Sequence, residues 1–283
     1  SHGWRAAFLL VGLPGIALSA IVWLTLKEPA RGLSDGRIAS DVTPPLGAVL
    51  RRLAGSPAFR NLVLAGTVGS FVGYAGMTFA HPFFVRNFDV GYTEAAIAFA
   101  VINSLSLGSG SVLGGIVADR LGRRDIRWYG WLPAICMMFA AATYMLGFSQ
   151  PSWFGTILLL TPPGFFAGVF TGPTFAVTSN LVEPRMRASA TAILTLTMSV
   201  LGMTLGPITA GWFSDIFAAQ AFAGDYAARC GEATTVAACA AASAQGLRTA
   251  LVTVCSFYVV AGWLFFRMAA HLPRELAHME ERR

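Results

Sequence analysis

Seven long apolar runs alternate with short polar segments along the chain. They extend roughly from Ala6 to Leu26, Arg60 to Phe84, Thr93 to Ala118, Trp128 to Phe148, Trp153 to Thr178, Ala188 to Phe213 and Leu247 to Met268. A helix rising about 1.5 Å per residue needs about 20 apolar residues to cross a bilayer, so each run is long enough to span one. Lipid offers no hydrogen-bond partner to a bare backbone, and no alternating strand pattern is present from which a barrel could close. The pattern therefore predicts an all-α membrane protein with seven transmembrane helices.

Basic residues between the runs set an orientation. Of the 20 Lys and Arg, sixteen follow spans one, three, five and seven, among them Arg51, Arg52, Arg60, Arg120, Arg123, Arg124, Arg127, Arg185 and Arg187. The opposite side holds only Arg5, Arg86, Arg229 and Arg248. Positive residues stay on the cytoplasmic side, so the carboxyl terminus is expected inside and Ser1 outside. In the first inner segment Leu46, Val49, Leu50 and Leu53 recur at helical spacing beside Arg51 and Arg52. This reads either as a short helix lying on the inner leaflet or as a solvated linker, and the segment is the natural domain boundary.

Composition agrees with a bilayer as the main solvent. With 55% hydrophobic and 12% charged residues, a water-soluble fold would have too few polar side chains to cover its surface. A net charge of +6 raises nucleic acid as a partner, but the basic residues cluster at span ends instead of forming a basic aromatic face. Arginine makes up nearly all of the basic residues, and alanine and glycine are abundant, which points to a GC-rich bacterial source. No nucleophile lies near a base, no metal-ligand spacing occurs and no loop cradles phosphate, so neither catalysis nor a cofactor or metal is expected. Cys136 and Cys255 fall inside apolar runs; Cys230 and Cys239 share one outer loop, either as a disulfide or as two free thiols. The chain opens on Ser1 and has no small-residue cleavage site after its first run, so it is expected to be a piece of a longer protein.

Between spans three and four stands Gly115-Ile-Val-Ala-Asp119-Arg120-Leu-Gly122-Arg123-Arg124. It resembles the G-x-x-x-D-R-x-G-R-R loop motif of the major facilitator superfamily, carried after helix two and again, usually degraded, after helix eight. A plain positive-inside loop would explain the arginines but not the Asp and two Gly at this spacing. The resemblance makes the seven spans equivalent to helices six to twelve of a twelve-helix fold. Gly3-Trp4-Arg5-Ala6, Lys27-Glu28-Pro29, Ser56-Pro57-Ala58-Phe59-Arg60, Arg127-Trp128-Tyr129-Gly130-Trp131, and Arg185 to Ala188 followed by Gly206-Pro207 resemble bacterial spinster-like members. It then implies that residues 1–26 are the last helix of an amino-terminal bundle and 27–59 a cytoplasmic inter-bundle loop. Residues 60–283 become a carboxyl-terminal six-helix bundle with a cytoplasmic tail. It also implies a secondary active transporter working by alternating access in a bacterial inner membrane, as a multi-pass protein. In the motif, Gly permits close helices, Asp119 can meet a helix terminus or an arginine, and the arginines anchor the inner turn.

In this family the helices equivalent to spans two and five line the cavity. On span two, Thr67, Ser70, Tyr74, Thr78 and His81 form one stripe, with Gly69, Gly73 and Gly76 on the opposite side as a helix contact. Each Ser or Thr can alternatively bond its own backbone. On span five Thr171, Phe175 and Thr178 flank a ridge of Gly164, Gly168 and Gly172 that reads as a packing seam, and span three adds Asn103. Thr191 and Thr195, aligned with Gly202 and Gly206, read as packing. No Asp, Glu, Lys or Arg lies deep in a span, so a coupling ion, if used, would be bound in the amino-terminal bundle absent from this chain. The charge-free, Phe-rich faces favour a small, amphipathic or lipid-like solute. The expected partners are therefore the bilayer, that missing bundle, an unknown small-molecule substrate and a coupling ion, without nucleic acid. A seven-helix receptor, with Asp119-Arg120 closing its third span, and a membrane-embedded enzyme remain as alternatives.

Overall fold

A computed structural model describes residues 3–26, 45–88, 90–230 and 237–280. Outside these lie Lys27, Glu28, Pro29, Arg31 and Arg37, most of the 27–59 segment, Ser1, and Arg282 and Arg283 in the tail. The chain divides into two units, residues 1–42 and 43–283. The first contains α1 (Gly3–Thr25), an apolar helix with Pro14 inside it. In α1 the Ser19 hydroxyl donates to Ile16 O at 2.9 Å and that of Thr25 to Ile21 O at 2.6 Å, the usual way for a hydroxyl in an apolar helix to stay bonded.

The second unit begins with α2 (Leu46–Ala54), which buries Val49 and Leu53 and ends on Arg51 and Arg52. Leu46 and Leu50 stay exposed, so this amphipathic helix turns one apolar edge to the protein and one away from it. Next come α3 (Pro57–Phe88), α4 (Tyr92–Gly122), α5 (Trp128–Phe148), α6 (Trp153–Gly168) and α7 (Thr171–Asn180). After a 3-10 turn over Pro184–Met186 follow α8 (Arg187–Ala221), α9 (Tyr226–Cys230) and α10 (Ala237–Glu280). Seven helical stretches among the described residues are long and apolar enough to cross a membrane. Span four has the boundaries its sequence predicts, whereas α10 runs well past both ends of the apolar run from Leu247 to Met268.

Span five departs from a single helix, because α6 and α7 are separated at Val169 and Phe170. Pro173 explains the break: it lacks the N–H that would donate to Val169 O, and its ring crowds that same carbonyl. Helix resumes when Thr174 N–H donates to Phe170 O at 3.0 Å and the Thr174 hydroxyl bonds the same oxygen at 2.7 Å.

Packing within this unit follows small residues. Helix α3 lies along α8 and α10, α10 also along α5, and α4 along α6. A Cβ on Gly110 would overlap the Phe165 carbonyl oxygen, and one on Gly206 that of Phe71. Those two glycines let backbones approach closer than any side chain permits. The ridge of Gly164, Gly168 and Gly172 meets α4 at Ser106, Leu107 O and Gly115 Cα, the packing seam its spacing suggests. At one end Phe83, Phe148, Phe84 and Trp153 interlock edge to face at 5.0 and 5.6 Å. Large apolar side chains remain uncovered along α4 and α8, including Val112, Ile116, Leu196, Met203 and Ile208. Such faces need lipid or another protein surface.

Two ties close the unit. Pro57 starts α3 where a missing N–H costs nothing, and the Ser56 hydroxyl oxygen caps it by accepting from Phe59 N at 3.0 Å. Glu275, near the end of α10, accepts from the Ser56 hydroxyl and, at 2.7 Å, from Ala58 N. The start of α3 and the end of α10 are thereby joined. Cys230 and Cys239 form a disulfide with their Cα atoms 5.6 Å apart, holding α9 against the start of α10.

Candidate functional site

Helices α3 and α4 meet only sparsely, and the space between them opens into a cavity of about 460 Å³ that reaches α5, α6, α7 and α10. Its α3 wall is centred on Gly73, Met77, Ala80 and Phe84, recurring at three- and four-residue steps along one helix face. The glycines are what make room: a Cβ on Gly76 would meet nothing within 4 Å, and one on Gly73 would meet only the Tyr258 hydroxyl, at 3.9 Å. Opposite stand Phe99, Asn103, Leu107 and Ser111 of α4. The interior end is made by Tyr144 and Phe148 of α5, Leu160 of α6, and Cys255 and Tyr258 of α10. Among the described residues that line it there is no Asp, Glu, Lys, Arg or His.

Four of the expected cavity residues are on the wall: Ser70, Tyr74, Asn103 and Thr171. The Asn103 amide donates to Phe99 O at 3.0 Å and keeps its own oxygen available. Five are elsewhere. Thr78 is exposed and donates to Tyr74 O at 2.9 Å. Thr178 has no exposed surface and donates to Thr174 O at 2.8 Å. Thr67 buries its hydroxyl oxygen without a partner among the described residues. Phe175 is half-buried away from the cavity. His81 donates from Nε2 to Tyr92 O at 3.0 Å and lies against the Tyr92 ring, tying α3 to the start of α4.

On α3 the expected stripe and the cavity face are related by a rotation. The polar stripe and the cavity face differ by about 100° on the helix, one residue step, so Ser70 and Tyr74 stand at the cavity's edge. Gly69, Gly73 and Gly76, expected as a contact behind, line it in front. Tyr144, Phe148, Cys255 and Tyr258 were not anticipated, because spans four and seven were assigned no site. A phenol hydroxyl inside an otherwise apolar run was the available signal.

The loop motif also gains a partner that spacing cannot reveal. Asp119 was expected to meet a helix terminus or an arginine. Instead the Tyr129 hydroxyl, from the first turn of α5, donates to Asp119 Oδ1 at 2.8 Å. A Cβ on Gly122 would overlap the Tyr129 ring, so the motif's second glycine is the seat of that ring. Its first, Gly115, lies against α7, its Cα 3.1 Å from a Cβ built on Gly172. Arg120, Arg123 and Arg124 are exposed around the turn. Among the described residues no group of His, Cys, Asp and Glu could hold a metal ion.

Residues 1–207 match the profile of the Major Facilitator Superfamily. The chain belongs to that family. An MFS-type efflux pump of Mycolicibacterium smegmatis is 27% identical over 223 residues, 76% of this chain and 49% of that protein. Two crystal structures of a bacterial homolog of the human lysosomal transporter Spinster, both inward-facing, share the fold. The unoccupied one has a TM-score of 0.73 at 26% identity, over 96% of this chain and 60% of that one. The occupied one has a TM-score of 0.67 at 28% identity, over 96% and 59%. This chain thus spans about half the length of the curated relative it matches. It is a multi-pass membrane protein whose seven spans are equivalent to helices six to twelve of the twelve-helix fold. The family is one of transporters, which leaves the receptor and enzyme alternatives without support.

Proposed function

We propose that the protein to which this chain belongs is a secondary active transporter moving a small, apolar or amphipathic solute across a bacterial inner membrane by alternating access. The observation that carries this reading is the cavity within the second unit: about 460 Å³, walled mostly by apolar side chains and bordered by no charge among the described residues. Its size lies within the range of small-molecule sites, roughly 300–1,000 Å³. A charged solute would leave its hydration shell without compensation there, whereas an apolar body gains by entering.

On this reading residues 1–26 end an amino-terminal bundle, 27–59 cross between bundles on the cytoplasmic side, and 60–283 form the second bundle with a cytoplasmic tail. The basic-residue asymmetry supports that orientation. So does the Cys230–Cys239 disulfide, since disulfides persist on the oxidising outer side of a bacterial inner membrane. Two bundles rocking about a shared site would expose the cavity alternately to each side. Asp119 and Tyr129 would then hold one of the two states, because a carboxylate bonded across the inner turn in one arrangement biases the equilibrium.

The test is transport of a fluorescently labelled monoacylglycerol, a neutral amphiphile, into liposomes holding the full-length protein, with empty liposomes subtracted. Protein-dependent exchange that saturates with the probe is expected. Residues 1–283 alone should give none. Equal rates in empty and protein-bearing liposomes would refute the proposed solute class, and full activity of residues 1–283 would refute the need for a second bundle.

A further inference from the structure

The interior end of the cavity carries two phenols on helices to which no site had been assigned. Tyr144 of α5 and Tyr258 of α10 stack with ring centroids 5.9 Å apart and planes 14° from parallel. Tyr144 also stacks on Phe148 at 6.1 Å. Tyr258 is only 2% exposed, yet its hydroxyl lies 3.9 Å from a Cβ built on Gly73. The Tyr144 hydroxyl lies 3.6 Å from one built on Gly164, a second wall residue. The Tyr258 oxygen therefore stands where Gly73 leaves space, the Tyr144 oxygen lies beside Gly164 where that glycine packs on Ser106, both residues line the cavity, and neither hydroxyl bonds another described residue. A phenol hydroxyl set among apolar side chains is a site for a hydrogen-bond partner. Two of them side by side on the wall of a chamber bordered by no charged described residue can offer hydrogen bonds to what enters it.

We propose that Tyr144 and Tyr258 form a polar subsite that selects solutes carrying an uncharged hydrogen-bonding group, such as a hydroxyl or carbonyl, on an apolar body. The inference rests on the cavity being the solute's chamber and names which neutral solutes it prefers. Each phenol can both donate and accept, so the pair can satisfy a hydroxyl completely or receive a carbonyl. An ionised group would find no counter-charge on the wall. An all-hydrocarbon solute of the same shape would displace water from both phenols and return no hydrogen bond, and sites built around such bonds discriminate against the analogue lacking the group. The stack fixes both rings, so the oxygens are in place before a solute arrives.

The experiment compares equilibrium binding of 1-naphthol and naphthalene to full-length protein in nanodiscs, with empty nanodiscs subtracted. Wild type should prefer naphthol. Tyr144→Phe and Tyr258→Phe remove one oxygen each and keep the stack, so each should weaken naphthol binding on the order of three- to tenfold. Naphthalene should change less than about twofold in both by the same principle. Gly76→Phe fills open space on α3 and should abolish binding of both probes. Wild type without a preference for naphthol, or Phe variants that leave the preference intact, would overturn the subsite. If Gly76→Phe still removes both probes in that case, the chamber stands and only the subsite is wrong. If Gly76→Phe changes neither probe, the chamber falls together with the subsite.

Discussion

Replacing Glu275 with Ala should loosen the junction between the last helix and the start of α3, and the structure sets the size of the effect. The substitution removes one acceptor of the Ala58 amide, 2.7 Å away, and of the Ser56 hydroxyl. Ala58 has no exposed surface, so its N–H loses a partner that water replaces poorly, a loss of about 1–3 kcal/mol. A carboxylate at a helix N-terminus adds about 0.3–1 kcal/mol through the helix dipole. Ser56 still caps through Phe59 N, which keeps the total near 2–3 kcal/mol. At about 2–4 °C per kcal/mol, the unfolding midpoint of the purified protein in detergent should fall by roughly 5–10 °C. Glu275→Gln keeps an acceptor without the charge and should lose less than half as much. The double variant with Ser56→Ala should fall short of additivity, because the two residues share one bond. A midpoint for Glu275→Ala within about 1 °C of wild type, or strict additivity with Ser56→Ala, would refute the capping role.

Asp119→Asn and Tyr129→Phe, each in the full-length protein, should slow transport several-fold while expression and membrane insertion stay near normal. The double variant should fall short of additivity, since Asp119→Asn weakens and Tyr129→Phe removes the same bond; independent effects in transport assays would contradict this. Cys230→Ser opens a short loop and should cost about 2–3 kcal/mol, read as a lower unfolding midpoint that reducing agent reproduces in wild type and leaves unchanged in the variant. In a cysteine-free background, cysteines introduced at Ser34 and Ala223 should react with an impermeant maleimide from opposite sides of the membrane. Labelling from the same side would overturn the seven-span topology.

The spans were legible because lipid forces each to be apolar and to satisfy its own backbone, and span four could be bounded to the residue between Trp128 and Phe148. The break at Val169 and Phe170 was also written in the chain, through Pro173, but one continuous apolar run concealed it. The site was half legible. Ser70, Tyr74, Asn103 and Thr171, picked out by polarity, lie on the cavity wall, while that wall is shaped by what is missing, the side chains of Gly73 and Gly76. Polarity therefore pointed one residue step off the cavity face. Tyr144 and Tyr258 come together only when α5 packs on α10, and Tyr129 reaches Asp119 only across a folded turn. Pairings of that kind depend on how helices dock, which helical periodicity within one span does not encode.

The most direct test of the cavity as a solute chamber is the labelling rate of a cysteine at Gly73, an exposed wall position, in the full-length protein carrying no other free thiol. Inside-out and right-side-out vesicles are treated with an impermeant methanethiosulfonate, with and without saturating 1-naphthol. Labelling from both sides is expected, as the cavity opens alternately to each, with naphthol slowing both rates. Labelling from neither side, or rates indifferent to naphthol, would contradict the chamber.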